Sequence, residues 1–252
     1  MTRTLALLTL ITLLTGCEGT WSYRQLHQDK IVNADLWADE PRILSAYFAF
    51  DNIIGVDGDE AEVRAAGGAW NAVECTHDGT LERRVLTSSS TTDQVEASFD
   101  HTAEYADAIP VVFTWPVLPS TLDHTDFRVT LNTGEQLTPA AAGIFPNFEY
   151  NERSVVVLFA DFGNRIPPGE EGSRYATRTE IVDDGTPLML LGPKGPVSAV
   201  GLWIDNALSG YSTGPFLVGA KLSRMSTEGE GAPAFLGESQ PNDGVSLYGT
   251  EA

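Results

Sequence analysis

The sequence predicts an all-β protein built as a β-sandwich, and three stretches carry this prediction. An unbroken apolar run covers 109–118, apolar side chains take every second position over 127–131, and a Val-rich run covers 154–160. Short runs of β-branched and aromatic residues between Pro, Gly, Asn and Asp are typical of strands. Since such strands need a second sheet against their inner face, we expect a sandwich core.

Composition narrows the class of protein. The chain has 252 residues and a hydrophobic content of 42%, which suffices for a substantial core. It carries 15 Lys and Arg against 35 Asp and Glu, a formal net charge of -20. Because proteins bind nucleic acid through Lys and Arg that neutralise phosphates, we expect no nucleic-acid partner.

The first residues have the proportions of an export signal. Arg3 precedes an apolar run over 5–14, which is shorter than the about 20 residues that a membrane-spanning helix needs. A positive start followed by a short apolar run is typical of a signal peptide. Residues 1–16 are therefore predicted to be removed and to take no part in the fold.

The motif Leu14-Thr15-Gly16-Cys17 closes this run and resembles the bacterial lipobox. The resemblance implies cleavage before Cys17, acylation of this residue with fatty acids such as palmitate, and a lipoprotein anchored to a membrane of the cell envelope. Glu18 follows where Asp would favour the inner membrane, so the outer membrane is favoured. An ordinary signal peptide with a chance cysteine is the alternative. With Cys17 acylated only Cys75 remains, so no intramolecular disulfide can form.

The first part of the mature chain is predicted to lead from a tether into the sandwich. Residues 17–41 are polar without a regular period, which indicates a lipidated tether, and 42–51 predicts a first strand. Residues 53–108 look like an insertion, in which Asp78-Gly79 predicts a hairpin turn between two strands. Within this insertion 92–105 is ambiguous, although its apolar residues alternate partly as in a strand: Val95, Ala97 and Phe99.

The C-terminal part is predicted to add strands to the same sandwich. Runs rich in apolar residues and separated by Gly, Pro and Asn predict strands at 175–183, 187–192, 197–204 and 215–222. The sandwich domain is thus expected to cover 42–225. Residues 226–252 are dominated by Gly, Glu, Pro, Ser and Asn and predict a loosely ordered acidic tail.

One family resemblance follows from the order of these runs. Phe113, Pro116, Val117, Thr121 and Leu122 match the "Phe-x-x-Pro-Val-x-x-x-Thr-Leu" turn of the bacterial Ig-like modules repeated in surface-layer and cell-wall proteins. The resemblance covers roughly 42–52 and 109–200. It implies an Ig-like sandwich with an inserted hairpin region and extra C-terminal strands. The family shares no catalytic residues, so it implies only binding, spacing or scaffolding.

Several polar residues could form a transition-metal site, and Cys75, His77 and His101 are the first candidates, with Asp100 and His124 beside them. Cys75 and His77 are two apart and share one face of a strand. No second paired motif stands at ligand spacing, so solvated hairpin residues are the preferred interpretation. The sequence predicts no cofactor.

A calcium site in the acidic insertion is a further alternative. The stretch 57–60 reads Asp-Gly-Asp-Glu, but an EF-hand register would place Glu62 at its Gly position and Gly68 at its twelfth position. That loop is excluded. A looser carboxylate site for Ca²⁺ in 53–108 stays open as an alternative.

Two stretches near the C-terminus match functional patterns only in part. The stretch 210–214 matches the hydrolase nucleophile elbow by letters, but Pro215 follows it and every histidine lies upstream, so a Gly-rich turn is predicted. An aromatic set could line a sugar-binding face, although core packing is favoured: Trp203, Tyr211 and Phe216.

Two function hypotheses follow. The first is a non-enzymatic envelope lipoprotein whose membrane-anchored sandwich binds an envelope protein or a glycan, or serves as an accessory subunit of an envelope complex. The second is an extracytoplasmic hydrolase or metal-dependent enzyme with its site in 53–108. Convergence of Cys75, His77 and His101 on one point would favour the second hypothesis.

Overall fold

The structure is a computed structural model that describes residues 24–30, 38–77, 80–147, 150, 153–205 and 217. Within these ranges it is an all-β protein with two short α-helices, α1 (Glu60–Ala65) and α2 (Thr92–Phe99), and three 3₁₀ turns at Arg24–His27, Pro119–Thr121 and His124–Asp126. The strands are β1 (Ile43–Ala46), β2 (Phe50–Ile54), β3 (Trp70–His77), β4 (Thr80–Thr87), β5 (Ala106–Phe113), β6 (Phe127–Leu131), β7 (Gln136–Leu137), β8 (Ala141–Gly143), β9 (Val155–Ala160), β10 (Ala176–Ile181), β11 (Met189–Gly192), β12 (Gly195–Ser198) and β13 (Trp203–Asp205).

Two antiparallel sheets form the sandwich, as the sequence predicts. The first has five strands in the order β1-β5-β9-β8, with β2 also paired to β5, and the second has four strands in the order β13-β10-β6-β7. Alternate residues from both sheets meet in one core cluster, including Val111 and Phe113 from β5, Phe127 and Val129 from β6, and Ile181 from β10. Apolar burial between the sheets therefore holds them together.

The five-stranded sheet is buried on both of its faces. On β9, Val156 and Leu158 point into the sandwich core, whereas Val157 and Phe159 belong to a second apolar cluster on the opposite face. This second cluster also contains Val95 and Phe99 of α2. Strands buried on both sides read as continuous apolar runs, which explains why 109–118 and 154–160 stand out in the sequence.

Two predicted strands are interrupted in the structure. The run 42–51 becomes β1 and β2, which both pair with β5 but are separated by an irregular stretch in which Ala49 N donates to Ala108 O at 2.9 Å. The run 197–204 becomes the end of β12 and the start of β13. The strand predicted at 215–222 and the tail 226–252 lie outside the described residues, apart from Leu217.

The segment 92–105 begins as a helix, so the strand-like alternation in this segment is misleading. Thr91 is the N-cap of α2, and its Oγ1 accepts from Gln94 N while the Gln94 side chain accepts from Thr91 N. This reciprocal capping box satisfies two backbone donors at the start of the helix. Val95 and Phe99, four residues apart, then lie on one helical face against the sheet.

The predicted hairpin of the insertion is confirmed as β3 and β4, which pair over their whole length. The turn residues 78–79 lie outside the described part of the chain. Val85 and Leu86 on β4 are about half exposed, at 47% and 55%. Among the described side chains of the hairpin, Trp70 packs against the small apolar cluster of Val56 and Val63.

The Ig-like turn pattern has a clear structural role. Thr121 Oγ1 donates to Leu118 O and accepts from Met189 N, and Leu191 N donates to Pro116 O at 2.7 Å. These bonds attach β11 to the segment that joins β5 to β6. The pattern therefore reports a structural junction in an all-β sandwich.

Part of the predicted tether packs on the sandwich. In the segment 24–30, here called the strap, Leu26 is buried and Asp29 accepts from both the backbone N and the Oγ of Ser120. Further along, Trp115 Nε1 donates to Ala38 O at 2.8 Å. No helix among the described residues is long and apolar enough to cross a membrane.

Candidate functional site

An apolar cavity of about 520 Å³ lies between α2 and the outer face of the five-stranded sheet. Its floor is formed by residues of the sheet, its wall by one face of α2, and its rim by the loop 145–147 and by Ala49. The volume lies within the roughly 300 to 1,000 Å³ of small-molecule sites. This cavity is the main candidate site of the protein.

The cavity lining is dominated by aromatic and aliphatic side chains, with no charged side chain among the described lining residues. Its large apolar members are Phe50, Ile54, Val95, Phe99, Phe145 and Phe159. Phe50 is 47% exposed, which is unusual for such a residue and places it at the opening. Apolar surface that lines a concave site favours a ligand that buries apolar area there.

The polar residues of the lining are neutral: Ser90, Gln94, Ser98 and Asn147. Ser90 is held by its backbone, since its carbonyl accepts from Gly55 N and Val56 N at 2.9 and 2.8 Å. Its Oγ is buried and has no hydrogen-bond partner among the described residues. A buried hydroxyl without a partner costs free energy, so it needs an explanation.

Close packing at the C-terminal end of α2 fixes one end of the cavity. The rings of Phe99 and Phe159 lie 4.5 Å apart between centroids, tilted by 55°. Gly143 on β8 lies directly against Phe99, because a Cβ at Gly143 would stand 2.5 Å from Phe99 Cδ1. The small residue on β8 thus lets the helix approach the sheet.

The strap reaches the same end of α2. His27 Nε2 lies 3.2 Å from Asp100 Oδ2, and Asp100 is the left-handed C-cap of α2 with a φ of 57°. The strap and the cavity wall are therefore in contact with each other through this pair.

The structure brings two of the predicted metal-ligand residues together. The rings of His101 and His124 meet edge to face with centroids 4.2 Å apart, and His124 Nδ1 contacts Pro139 O at 2.7 Å. His124 Nε2 lies 3.8 Å from Asp123 Oδ1. Within the described ranges no group of three or more His, Cys, Asp or Glu is arranged to hold a metal ion.

Electrostatics around this histidine pair affect Asp123. Burial raises the pKa of Asp123, but the hydrogen bonds from Thr125 and the nearby His124 and His101 outweigh burial and hold the pKa below its ordinary value. Cys75 and His77, the other candidates, lie on β3 opposite Glu82 and Thr80, and their side chains are outside the described part. The described residues therefore do not test whether Cys75 and His77 converge with His101, which is the condition for the enzyme hypothesis.

The acidic stretch 57–60 caps helices. Asp57 accepts from the backbone N of Thr92 at 2.7 Å and from its hydroxyl, and these bonds hold the pKa of Asp57 below its ordinary value. Asp59 is the N-cap of α1 and forms a capping box with Glu62. Both carboxylates thus satisfy backbone donors at helix starts.

A second, polar depression is organised by the buried Asp107. Its Oδ1 accepts from Asn52 N at 2.8 Å, and its Oδ2 accepts from Phe162 N and Gly163 N at 2.7 and 3.0 Å. Burial raises the pKa of Asp107 to about 6, against these hydrogen bonds, which lower it. Its contacts explain Asp107 as a structural anchor between β2, β5 and the end of β9.

Of the three aromatic residues considered for a sugar-binding face, only Trp203 lies among the described residues. Trp203 is 51% exposed, and Arg178 Cζ stands 3.9 Å from its ring centroid, so the expected core packing of Trp203 is wrong. Trp203 lies on the short edge strand β13 of its sheet. Tyr211, Phe216 and the stretch 210–214 lie outside the described residues.

Sequence reasoning missed the cavity, since its lining comes from five separate parts of the chain. The local signal that was available is the pair Thr91 and Gln94, whose spacing is typical of a capping box and marks the start of α2.

No protein-family model matches this chain, and no curated protein and no solved structure matches it either.

Proposed function

We propose that the protein is a lipid-anchored module of the bacterial envelope, favoured at the outer membrane, whose Ig-like sandwich binds an apolar small molecule without catalysis. The observation that carries the proposal is the cavity of about 520 Å³ between α2 and the five-stranded sheet. Its size and apolar lining suit a ligand that is held by burial and oriented by a few polar groups.

The location of the strap supports a membrane-proximal site. Only seven peptide bonds separate Cys17, the predicted acylated residue, from Arg24 at the start of the strap. A chain of seven residues spans at most about 25 Å. Since the strap contacts α2 through His27 and Asp100, acylation of Cys17 would keep the cavity wall close to the bilayer.

A fluorescence titration tests the binding function. N-phenyl-1-naphthylamine, a neutral apolar probe, is titrated into the predicted mature chain 17–252 carrying Cys17→Ser, which has neither the apolar run 5–14 nor an acyl group. We expect saturable binding with one site per chain. Ala49→Trp narrows the opening of the cavity and should weaken binding about 10-fold or more, the equivalent of about 1.4 kcal/mol.

The matched control is Ala61→Trp, which adds the same indole on the exposed surface of α1, away from the cavity. Its affinity for the probe should equal that of the parent chain. Non-saturable uptake of the probe, or equal affinities of both Trp variants, would contradict the proposal.

A further inference from the structure

The polar groups of the cavity bear on the chemistry of its ligand. The lining has hydroxyl and amide side chains but no charged side chain among the described residues. An ionised group that enters such a site loses its hydration without gaining a counter-ion, which costs several kcal/mol. A neutral ligand avoids this cost.

The net charge of the whole protein also disfavours an anionic ligand. With a formal net charge of -20, the surface repels anions at low salt. A fatty-acid carboxylate would therefore be disfavoured both locally and at long range, whereas an uncharged polar end would not.

One lining residue is suited to hold such an uncharged end. Ser90 Oγ is buried without a partner among the described residues, while two backbone bonds to its carbonyl hold the residue in place. A hydroxyl both donates and accepts, so it can pair with a ligand hydroxyl or an ester carbonyl. A hydrogen bond from the ligand would remove the cost of the unpaired group.

We propose that the cavity binds a neutral single-chain amphiphile of the monoacylglycerol or fatty-alcohol class, with its apolar chain against Phe50, Phe99 and Phe159 and its uncharged polar end at Ser90 Oγ. This inference rests on the proposed binding function and adds the chemical class of the ligand and the residue that recognises it. The same chemistry is met in a bilayer and in solution.

Competition experiments test the ligand class. 1-Oleoylglycerol and oleate, which share one acyl chain, are compared as competitors of the bound probe at pH 8. The measurement is made at about 0.1 M and again at about 1 M salt, where the Debye length falls from about 10 to about 3 Å and long-range repulsion is screened. We expect 1-oleoylglycerol to compete at least about 10-fold better at both salt concentrations.

Equal competition by oleate at high salt would overturn the assignment of a neutral ligand while leaving the binding function intact. Failure of the probe itself to bind would instead overturn the binding function. The two failures are therefore distinguishable.

A serine substitution tests the recognition residue. Ser90→Ala should weaken binding of 1-oleoylglycerol about 2- to 12-fold, the equivalent of one net hydrogen bond. Ser89→Ala is the matched control, because Ser89 bonds Thr87 and does not line the cavity. An equal loss of affinity for 1-oleoylglycerol in both variants, or no loss of affinity in Ser90→Ala, would contradict the role of Ser90.

Two arms distinguish the source of the ligand. The chain is incubated with 1-oleoylglycerol in solution, or with phosphatidylcholine vesicles that contain it and are then removed by centrifugation, and native mass spectrometry records bound lipid. A one-lipid mass increase in both arms assigns a ligand drawn from bilayers, and an increase in the solution arm alone assigns a soluble ligand. No increase in either arm would overturn the ligand class.

Discussion

The guanidinium of Arg153 donates to the backbone carbonyl of Gln28, which joins the strap to a residue 125 positions later in the chain. Arg153 is 1% exposed and donates a second bond to Gln25 O. Its Cζ lies 4.7 Å from the ring centroid of Tyr150. Burial lowers the pKa of Arg153 to about 10, so it stays charged at neutral pH. The strap is thus held by a buried cation that bonds backbone carbonyls.

Removal of this cation should release the strap. Arg153→Ala leaves the carbonyls of Gln25 and Gln28 without their donor and opens space in a buried site, so we expect a loss of about 2 to 4 kcal/mol in unfolding free energy. Hydrogen exchange of residues 24–30 should accelerate. Urea unfolding and hydrogen-exchange mass spectrometry measure the two effects.

The control for Arg153 is Arg128→Ala, which removes a partly exposed ion pair with Glu180. It should cost no more than about 1 kcal/mol and leave exchange in the strap unchanged. Unchanged strap exchange in Arg153→Ala would show that Arg153 does not hold the strap.

Two buried carboxyls should make stability depend on pH. Burial raises the pKa of Asp107 and of Asp126 to about 6 in each case, above the ordinary value of 3.8. Between these values the folded state binds more protons than the unfolded state, so the unfolding free energy falls as pH rises from about 4 to about 6. The stabilisation that comes from protonation of these two carboxyls is fully present below about pH 4 and is lost as the pH rises through about 6.

Asp107→Asn should reduce this slope, because its side chain does not titrate. Urea unfolding of parent and variant at pH 4.5, 5.5, 6.5 and 7.5 gives the difference directly, on the order of 2 kcal/mol across the window. Asp39→Asn, at an exposed position, should keep the parental slope. Parallel pH profiles for the parent chain and Asp107→Asn would contradict the raised pKa.

Phe99 and Gly143 should be energetically coupled. Gly143→Ala places a methyl group against the ring of Phe99, so we expect a destabilisation of about 1 to 3 kcal/mol from overpacking. Phe99→Leu removes the ring and creates room for that methyl group. The double variant should therefore be more stable than the sum of the single effects predicts, and urea unfolding of all four chains measures the coupling. Strictly additive losses would show that this contact does not position α2.

Acylation of the N-terminal cysteine is tested separately. Expression in a Gram-negative host with an alkyne analogue of palmitate should label the protein, and Cys17→Ser should abolish the label. Cys75→Ser is the matched control and should keep it, because the lipobox pattern ends at Cys17. Labelling that survives Cys17→Ser, or that depends on Cys75, would contradict the anchor.

The strands could be predicted from sequence where burial on both faces makes the signal strong. β5 and β9 are such strands, and β6 has the alternation of a strand with one buried face. α2 could not be predicted in this way, because a helix of eight residues places only Val95, Ser98 and Phe99 in buried positions. The capping residues Thr91 and Gln94 indicate the start of this helix better than its apolar pattern does.

Sequence patterns could not predict the candidate site either, because its residues are distant in the chain. Ala49, Ser90, Phe99 and Phe159 meet only because α2 packs against the outer face of the sheet that contains β2 and β9. None of these residues has a chemistry that stands out in the sequence. His101 and His124, which do stand out, meet each other but do not line the cavity.

Photocrosslinking tests the central claim, ligand binding in the cavity, most directly. A 1-acylglycerol with a photoreactive diazirine in its acyl chain is irradiated with the predicted mature chain 17–252 carrying Cys17→Ser, and tandem mass spectrometry locates the adducts. We expect adducts at 94–99, 145–147 and 157–159, and their loss in Ala49→Trp but not in Ala61→Trp. Adducts confined to the exposed Val85 and Leu86, or spread over the surface, would contradict binding in the cavity.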